Sequence, residues 1–375
     1  MKEIVLNLLN FLFLLFPINR KKILFIDYYG ARYGDSPACL SEYIISAHPE
    51  WEIIWSFNHP KDFNIKGAQK VRYMSLKFFY HLATSKVWIT NYRMPEFFEK
   101  RKGQHYLQTW HSSLRLKKIE KDAEDSLTPK YLRMARNDSK KIDLILSGCA
   151  MSSTTFRYSF WYDGEVLECG TPRIDRLIHC TREFQQDIKK NLQIKDHERV
   201  VLYCPTFRQN EEDKNFYLDP VKFYKSLLEI SPSTNWKLLV RYHPHEIRTS
   251  SNFEGEAGIA DVTDYCDVQD LIAVSDMMIT DYSGVMFDCA YVSKPCFLYV
   301  PDLEVYRTKE RGLYFDITTL PFPVSRDHSE LINLINSFNE DTYKGDVEKF
   351  LQSIGSFEKG DACVRITERI EAWTK

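Results

Sequence analysis

Residues 278–288, MITDYSGVMFD, interrupt an apolar run with a short polar turn. The apolar residues 277–279 predict the end of a buried strand, and residues 285–292 predict a helix, because a strand would expose half of that run. Ser283 and Gly284 fall at the junction, where the N–H groups of a helix N-terminus favour a phosphate. A contact with the helix dipole contributes only about 0.3–1 kcal/mol at an exposed site. A phosphate site would therefore need cations and hydroxyls from elsewhere, and the simpler alternative is that Ser283 only caps the helix.

Cations, hydroxyls and imidazoles also follow other apolar segments of the chain. In the first half, the predicted strand 105–110, HYLQTW, is followed by His111, Ser112, Ser113, Arg115, Lys117 and Lys118. In the second half, the corresponding residues are Thr206, Arg208, Arg241, His243, His245 and Asp281, with Arg311 and Gly312 in a later loop. Ligands of parallel α/β sheets bind beyond the carboxyl ends of the strands. Groups of this chemistry at such an edge suit a polyanion, most simply a nucleoside diphosphate.

These residues also have ordinary structural alternatives. His111, beside Trp110, could be a hydrogen-bonded core histidine. Arg208 and Arg311 could form surface ion pairs, and the adjacent lysines 117 and 118 could begin a solvated or membrane-facing helix. His243 and His245 are spaced like two metal ligands on one strand, but no third ligand follows at a suitable spacing, so a metal site is not favoured.

The elements that would position these groups alternate along the chain. Strands are predicted at 22–30, 51–57, 86–90, 105–110, 142–148 and 165–170, then at 199–207, 236–242, 258–262, 276–281 and 295–300. Helical patterns lie between them, as at 37–46, 75–84 and 128–140, and the last 30 residues are predicted to be helical. The charged, helical residues 173–197 predict the connection between two domains. Strands that are apolar on both faces and alternate with helices indicate parallel, doubly wound sheets.

Composition sets broad limits on function. A chain of 375 residues is more often two domains than one. The net charge of −2 gives no argument for binding nucleic acid, and no recognition motif for it is present. The nine cysteines are scattered without a C-x-x-C pair, which favours reduced thiols in the cytoplasm over disulfides or structural zinc.

The N-terminus is unusually apolar. Residues 4–16, IVLNLLNFLFLLF, would reach about 20 Å as a helix, short of the roughly 30 Å hydrocarbon layer. The few polar residues fall on one helical face, and the basic residues 20–22 follow, so the pattern predicts a helix in the interface of the cytoplasmic leaflet. One alternative is a helix packed on its own domain. A cleaved signal peptide is the other, but no small-residue cleavage site follows.

Five segments, in order, resemble the CDP-glycerol glycerophosphotransferase family, whose members build teichoic acids and related cell-surface or capsular polymers. The segments are QTWHSSLRLKKIEKD (108–122), GTPRIDRL (170–177), YCPTFR (203–208), RYHP (241–244) and the long block 267–316. The resemblance extends from about residue 22 to the end of the chain.

The resemblance implies a GT-B-like α/β fold, with two Rossmann-type domains facing each other across an active-site cleft. The expected segments are a membrane-interface helix (1–20), an acceptor-side domain (21–178), a CDP-donor-binding domain (179–345) and C-terminal helices that return to the first domain (346–375). The resemblance also implies peripheral attachment to the cytoplasmic face of the membrane.

The expected reaction is transfer of glycerol phosphate from CDP-glycerol to a hydroxyl of a lipid-linked glycan or polyol-phosphate acceptor, with release of CMP. His111 is expected to be the general base, since an imidazole near pH 7 can accept the hydroxyl proton. His243, beside Arg241, would bind the diphosphate or protonate the leaving CMP. The other expected donor-binding residues are Thr206, Arg208, Asp281, Ser283, Gly284, Arg311 and Gly312. Ser112, Ser113, Arg115, Lys117 and Lys118 are assigned to the acceptor or membrane side.

No metal or other cofactor is expected, because the chain has no Asp-x-Asp motif and cationic side chains can replace a divalent ion. Two positions depart from the family pattern. Ser112-Ser113 stands where the family typically has Gly-Thr after Trp-His, and Gly284 replaces the second serine of Asp-Tyr-Ser-Ser. The alternatives within the enzyme class are a CDP-ribitol donor or a nucleotide-sugar donor. The alternative outside it is a membrane-associated scaffold that binds donor or polymer without turnover.

Overall fold

The computed structural model describes residues 13–208, 215–243, 253, 256–309 and 312–375. The chain divides into two compact units. Unit 1 comprises Met1–Ser113, Ile119–Arg176 and Gly355–Lys375, and unit 2 comprises Leu114–Lys118 and Leu177–Ile354. The final segment of the chain therefore belongs to the same unit as the first strands.

The strands that the structure describes form two parallel sheets. Their bounds are β1 (Asn19–Ile26), β2 (Glu52–Phe57), β3 (Ala68–Arg72), β4 (Ser85–Thr90), β5 (His105–Gln108), β6 (Leu144–Ser147), β7 (Glu165–Glu168), β8 (Glu198–Cys204), β9 (Asn235–Val240), β10 (Ile259–Asp261), β11 (Met277–Thr280), β12 (Cys296–Tyr299) and β13 (Val324–Ser325). The order is β3-β2-β1-β4-β5-β6-β7 in unit 1 and β10-β9-β8-β11-β12-β13 in unit 2. All pairings between these strands are parallel, as in β1 with β4 and β8 with β11.

Helices alternate with these strands. Within the described residues they are α1 (Asp35–Ala47), α2 (Leu76–Thr84), α3 (Pro129–Ser139), α4 (Ala150–Ser159), α5 (Pro172–Ile178), α6 (Arg182–Asn191), α7 (Pro220–Ile230), α8 (Val268–Val274), α9 (Val285–Tyr291), α10 (Leu303–Lys309), α11 (His328–Asn336), α12 (Glu340–Ser353) and α13 (Ala362–Thr374). Each of these helices is too short or too polar to cross a membrane.

Helices pack against each sheet in a hydrophobic core. In unit 1, Leu40 and Ile44 of α1 and Ile366 of α13 pack with strand residues such as Phe25 in one core. In unit 2, side chains of α7 and α11 pack with residues of β8, β9 and β11. The parallel α/β class predicted from alternating apolar strands and helices is confirmed.

The predicted elements differ from the observed ones at weakly apolar positions. Strand β3 was not predicted because only Val71 of its residues is buried, which leaves no apolar run to detect. The strand predicted at 22–30 ends at Ile26, because Tyr28 and Tyr29 adopt positive φ angles in a turn. The first 12 residues, which hold most of the predicted interface helix, lie outside the described residues.

Candidate active site

The His111 loop, residues 109–113, follows the carboxyl end of β5 in unit 1. Trp110 has a φ of 53°, and its N–H donates to Oε1 of Gln108 at 3.0 Å, so the chain turns sharply as the strand ends. Nδ1 of His111 lies 3.1 Å from the carbonyl oxygen of Asn91. A carbonyl can only accept, so Nδ1 carries the hydrogen and the neutral ring has its basic lone pair on Nε2.

A buried polar network holds this loop. The Arg173 guanidinium at the start of α5 donates to the His111 carbonyl at 2.7 Å and pairs with Asp35 at 3.2 Å. The Asn91 side chain donates to Asp35 at 3.2 Å and to Asp27 at 2.6 Å. All four supporting side chains are buried. The network fixes the histidine through both its ring and its backbone.

An aromatic wall lies beside the imidazole. The Tyr92 ring stacks on it with centroids 4.9 Å apart, and the Trp110 ring lies at 4.3 Å. Tyr28 lies further out, at 6.4 Å, and burial raises the pKa of its phenol well above the ordinary value. At neutral pH these tyrosines are uncharged, so the histidine is packed against neutral rings.

The other predicted residues near His111 have separate positions. Ser112 is half-buried, whereas Ser113 is buried and its hydroxyl donates to Glu358 at 2.5 Å. Arg115, Lys117 and Lys118 belong to unit 2, where Arg115 is buried. Nζ of Lys117 lies 5.1 Å from the centre of the Tyr306 ring, and the Lys118 N–H donates to the Gly312 carbonyl at 2.8 Å.

In unit 2, three adjacent strands bring most of the predicted donor-binding residues to one sheet edge. Strands β9, β8 and β11 are neighbours. Thr206 and Arg208 follow β8, Arg241 and His243 follow β9, and Asp281, Ser283 and Gly284 follow β11. Arg311 and His245 lie outside the described residues.

Asp281 joins the ends of β8 and β11. Its Oδ1 accepts the Thr206 hydroxyl at 2.6 Å and the Thr206 N–H at 2.8 Å, and also the Tyr282 N–H at 2.6 Å. Its Oδ2 lies 3.1 Å from Nη2 of Arg208. The carboxylate is buried, and its hydrogen bonds connect the loop after β8 with the loop after β11.

Arg208 is the centre of a buried cluster. Nη2 pairs with Asp281 and with Asp302, both at 3.1 Å, and all three side chains are almost fully buried. The guanidinium lies 5.2 Å from the Tyr282 and Tyr306 rings, which stack with centroids 3.5 Å apart. Burial alone would lower the pKa of Arg208, but the two carboxylates outweigh it and raise the pKa above its usual value.

The remaining polar groups at this edge are less enclosed. The Arg241 N–H donates to the Tyr203 carbonyl at 2.8 Å, and its guanidinium donates to the Tyr265 carbonyl at 3.3 Å. The His243 ring lies 5.4 Å from that of Phe207.

The third group lies at the start of α9, where Oγ of Ser283 is 3.4 Å from the Val285 N–H.

Sequence reasoning missed the residues that support the predicted site. Asn91, Asp35 and Asp27 carried no recognisable motif. Arg173 lies within GTPRIDRL (170–177), one of the segments that resemble the family, and this position was the available signal. Among the described residues, no group of three or more His, Cys, Asp or Glu side chains is arranged to hold a metal ion.

Comparison with known proteins covers nearly the whole chain. The family model described as CDP-Glycerol:Poly(glycerophosphate) glycerophosphotransferase matches residues 8–372. The teichoic acid poly(glycerol phosphate) polymerase of Bacillus spizizenii is 30% identical over 372 residues, which are 95% of this chain and 93% of that protein. The protein of the same description from Staphylococcus epidermidis is also 30% identical, but this chain spans only 51% of its length.

A solved structure of a polymerase also matches the whole chain. The wall teichoic acid polymerase TagF, in a variant soaked with CDPG, superposes with a TM-score of 0.87 at 29% identity. The match covers 100% of this chain and 95% of that one. The chain therefore has the GT-B-like fold of that polymerase, as the sequence resemblance implied.

Proposed function

Because the chain belongs to the CDP-glycerol:poly(glycerophosphate) glycerophosphotransferase family, we propose that it transfers glycerol phosphate from CDP-glycerol to a hydroxyl of a lipid-linked acceptor. The acceptor is a lipid-linked glycan or a polyol phosphate, CMP is released, and the product enters a teichoic acid or a capsular polymer. The observation that carries this proposal is the hydrogen bond from Nδ1 of His111 to the Asn91 carbonyl, which favours a base at Nε2.

His111 is the proposed general base. The acceptor oxygen forms a bond to the phosphorus that carries glycerol, the bond from that phosphorus to the CMP oxygen breaks, and the hydroxyl proton passes to Nε2. Such transfers depend mainly on alignment and on neutralising the phosphoryl charge. A positioned general base contributes about 10²–10⁴ in rate. The buried network around Arg173 and Asn91 supports the role, since it restrains the ring before the substrate arrives.

The donor diphosphate is assigned to the sheet edge of unit 2. Arg241, His243 and the α9 start with Ser283 supply a cation, an imidazole and N–H groups there, and Arg311 and Gly312 remain further candidates. Arg208 and Asp281 neutralise each other, and with Asp302 their cluster carries a net negative charge. Their contacts favour a supporting role, in which they hold Thr206 and the β11 turn in place for the donor.

Attachment to the cytoplasmic face of the membrane is part of the proposal. The side chains of Leu15 and Phe16 are exposed by 84% and 46%, and the Phe16 ring lies 5.4 Å from that of Tyr80 on α2. Leu76, one helical turn before Tyr80, is exposed by 60%. Exposed apolar side chains near the exposed basic residues Arg20 and Lys21 support an interface with anionic lipid. The third predicted basic residue, Lys22, is buried and pairs with Glu52 at 3.4 Å, so it does not contribute to this surface.

The test is CMP release by the purified full chain with CDP-glycerol and a prenyl-diphosphate-linked disaccharide. We expect release by the wild type, a loss of about 10²–10⁴ in H111N, and wild-type rates in H59N, which changes an exposed histidine. Release with CDP-ribitol alone would favour the ribitol alternative. Background release with every donor, or an H111N rate within tenfold of the wild type, would contradict the proposal.

A further inference from the structure

Glu358, which is outside the proposed catalytic groups, connects two loops at the carboxyl end of the unit 1 sheet. Glu358 lies between α12 and α13, and its Oε1 is 2.5 Å from Oγ of Ser113 and 2.8 Å from Oγ1 of Thr171. Its Oε2 accepts the Thr171 N–H at 2.8 Å. Ser113 follows β5 and Thr171 follows β7, and both are 1% exposed. One carboxyl therefore connects the loops after two strands that flank β6.

The loop after β6 completes this arrangement. The Phe357 N–H donates to the Gly148 carbonyl at 2.8 Å, and the Ala150 N–H donates to the Gly355 carbonyl at 2.9 Å, so the backbone around Glu358 is fixed. A Cβ on Gly148 would lie 1.9 Å from Oγ of Ser113 and 2.3 Å from Oε1 of Glu358. A Cβ on Gly170, where φ is +86°, would lie 2.7 Å from Oε2. A side chain at either position would therefore clash with the Glu358 carboxyl or its partner Ser113, and only glycine fits there.

Two short paths connect this carboxyl to His111. The first runs along the backbone, because Ser113 is two residues after His111. The second runs through α5, since Thr171 precedes Arg173, whose guanidinium donates to the His111 carbonyl at 2.7 Å. Both paths lie within unit 1.

We propose that Glu358 is a positioning residue for His111, which it holds in place through Ser113 on one side and through Thr171 and Arg173 on the other. The inference rests on the proposed function, in which His111 is the base. Glu358 touches neither the imidazole nor the reacting atoms, and it acts only by fixing the two loops.

The charge of this carboxyl is expected to change in the working pH range. Burial raises the pKa of Glu358 to about 8, although the hydrogen bonds from Ser113 and Thr171 oppose the rise. The titratable groups that face it are Asp175 of α5, which raises the pKa further, and the Cys169 thiol. Below that pH the protonated carboxyl can donate to the Ser113 hydroxyl, and above it the carboxylate only accepts.

The experiment follows the His111 ring by NMR in the full chain labelled with ¹⁵N-histidine, with H111N used to assign its signal. E358A removes all three hydrogen bonds, and it should shift the His111 signals and lower kcat by about 10–100-fold, with KM for CDP-glycerol within about twofold. In E358Q the amide can donate to the Ser113 hydroxyl and accept from the Thr171 N–H, so kcat should stay near that of the wild type. The wild-type His111 signal should show a second inflection near pH 8 that E358Q lacks.

E368Q, which changes an exposed glutamate of α13, is the matched control and should keep both the wild-type signal and the inflection. Unchanged His111 signals and kcat in a folded E358A would overturn the inference. Should E358A fail to fold, an inflection near pH 8 that persists in E358Q would overturn it instead. The NMR readout needs no turnover, so a protein that released no CMP would refute the proposed function while still testing Glu358.

Discussion

Replacing Arg208 by methionine tests whether this arginine is a structural part of the donor site. The substitution removes the cation between Asp281 and Asp302, which are 4% and 5% exposed, and leaves two buried carboxylates facing an apolar side chain. Removing one partner from a buried ion pair costs about 3–5 kcal/mol. That loss corresponds to roughly 10²–10⁴ in the unfolding equilibrium constant. For a unit of this size, Tm should fall by about 6–20 °C.

Differential scanning calorimetry at pH 7 measures this loss. R326M, which changes an exposed arginine of unit 2, should stay within about 0.5 kcal/mol of the wild type. R208M/D302N should recover part of the loss, because only Asp281 then remains as an uncompensated charge. If R208M unfolded within about 2 °C of the wild type, a shift of less than about 1 kcal/mol, the cluster would not stabilise unit 2 and the reasoning would be refuted.

Three further predictions concern other parts of the molecule. G284S should fold with an unchanged Tm, because φ is −61° and a Cβ there would lie 3.5 Å from its nearest neighbour; a fall in Tm would contradict this. Burial raises the pKa of Glu358 from 4.5 to about 8, so its stabilising contribution is full below pH 4.5 and is lost as the pH rises through 8. E358Q should therefore have a flatter profile of Tm against pH in that range, and a profile parallel to the wild type would refute the shift. L15E/L76E should reduce co-sedimentation with anionic vesicles, whereas the unit 2 change L228E should not, and equal loss in both would argue against the proposed membrane face.

Much of the fold could be predicted because buried parallel strands are apolar on both faces. Residues 23–26 of β1 are at most 1% exposed. Burial on both faces requires a continuous apolar run, and this run predicts the strand. Edge strands lack that signal. In β3 the buried Val71 stands between Lys70 and Arg72, so neither a continuous nor an alternating apolar pattern marks the strand.

The candidate site was predicted less completely than the fold. His111 is a candidate from the sequence because it follows a predicted strand, and ligands of parallel sheets bind beyond the carboxyl ends of their strands. Its supports depend on contacts between distant parts of the chain: Asn91 precedes it by 20 residues and Arg173 follows it by 62. Glu358 lies 245 residues after Ser113, in a stretch with no motif. A local sequence pattern does not indicate which distant side chains will contact a turn. These supporting residues can therefore be identified only from the tertiary structure.

A common design connects these supports, taken within each unit by itself. In unit 1, Asp35 and Glu358 accept hydrogen bonds from loops that follow different strands, and in unit 2 Asp281 does the same for the ends of β8 and β11. A buried polar group costs free energy unless it is fully hydrogen-bonded. Compared with apolar residues, a complete set of such groups therefore adds little net stability, although removing one partner is costly. It leaves each loop few alternative conformations. Phosphoryl transfer depends on alignment more than on covalent chemistry, so restrained loops are what this reaction requires from the protein. The sequence assigns Asp281 to the donor, but on this argument it is more important for where it holds Thr206. Asp35 and Glu358 are likewise important for where they hold the His111 loop.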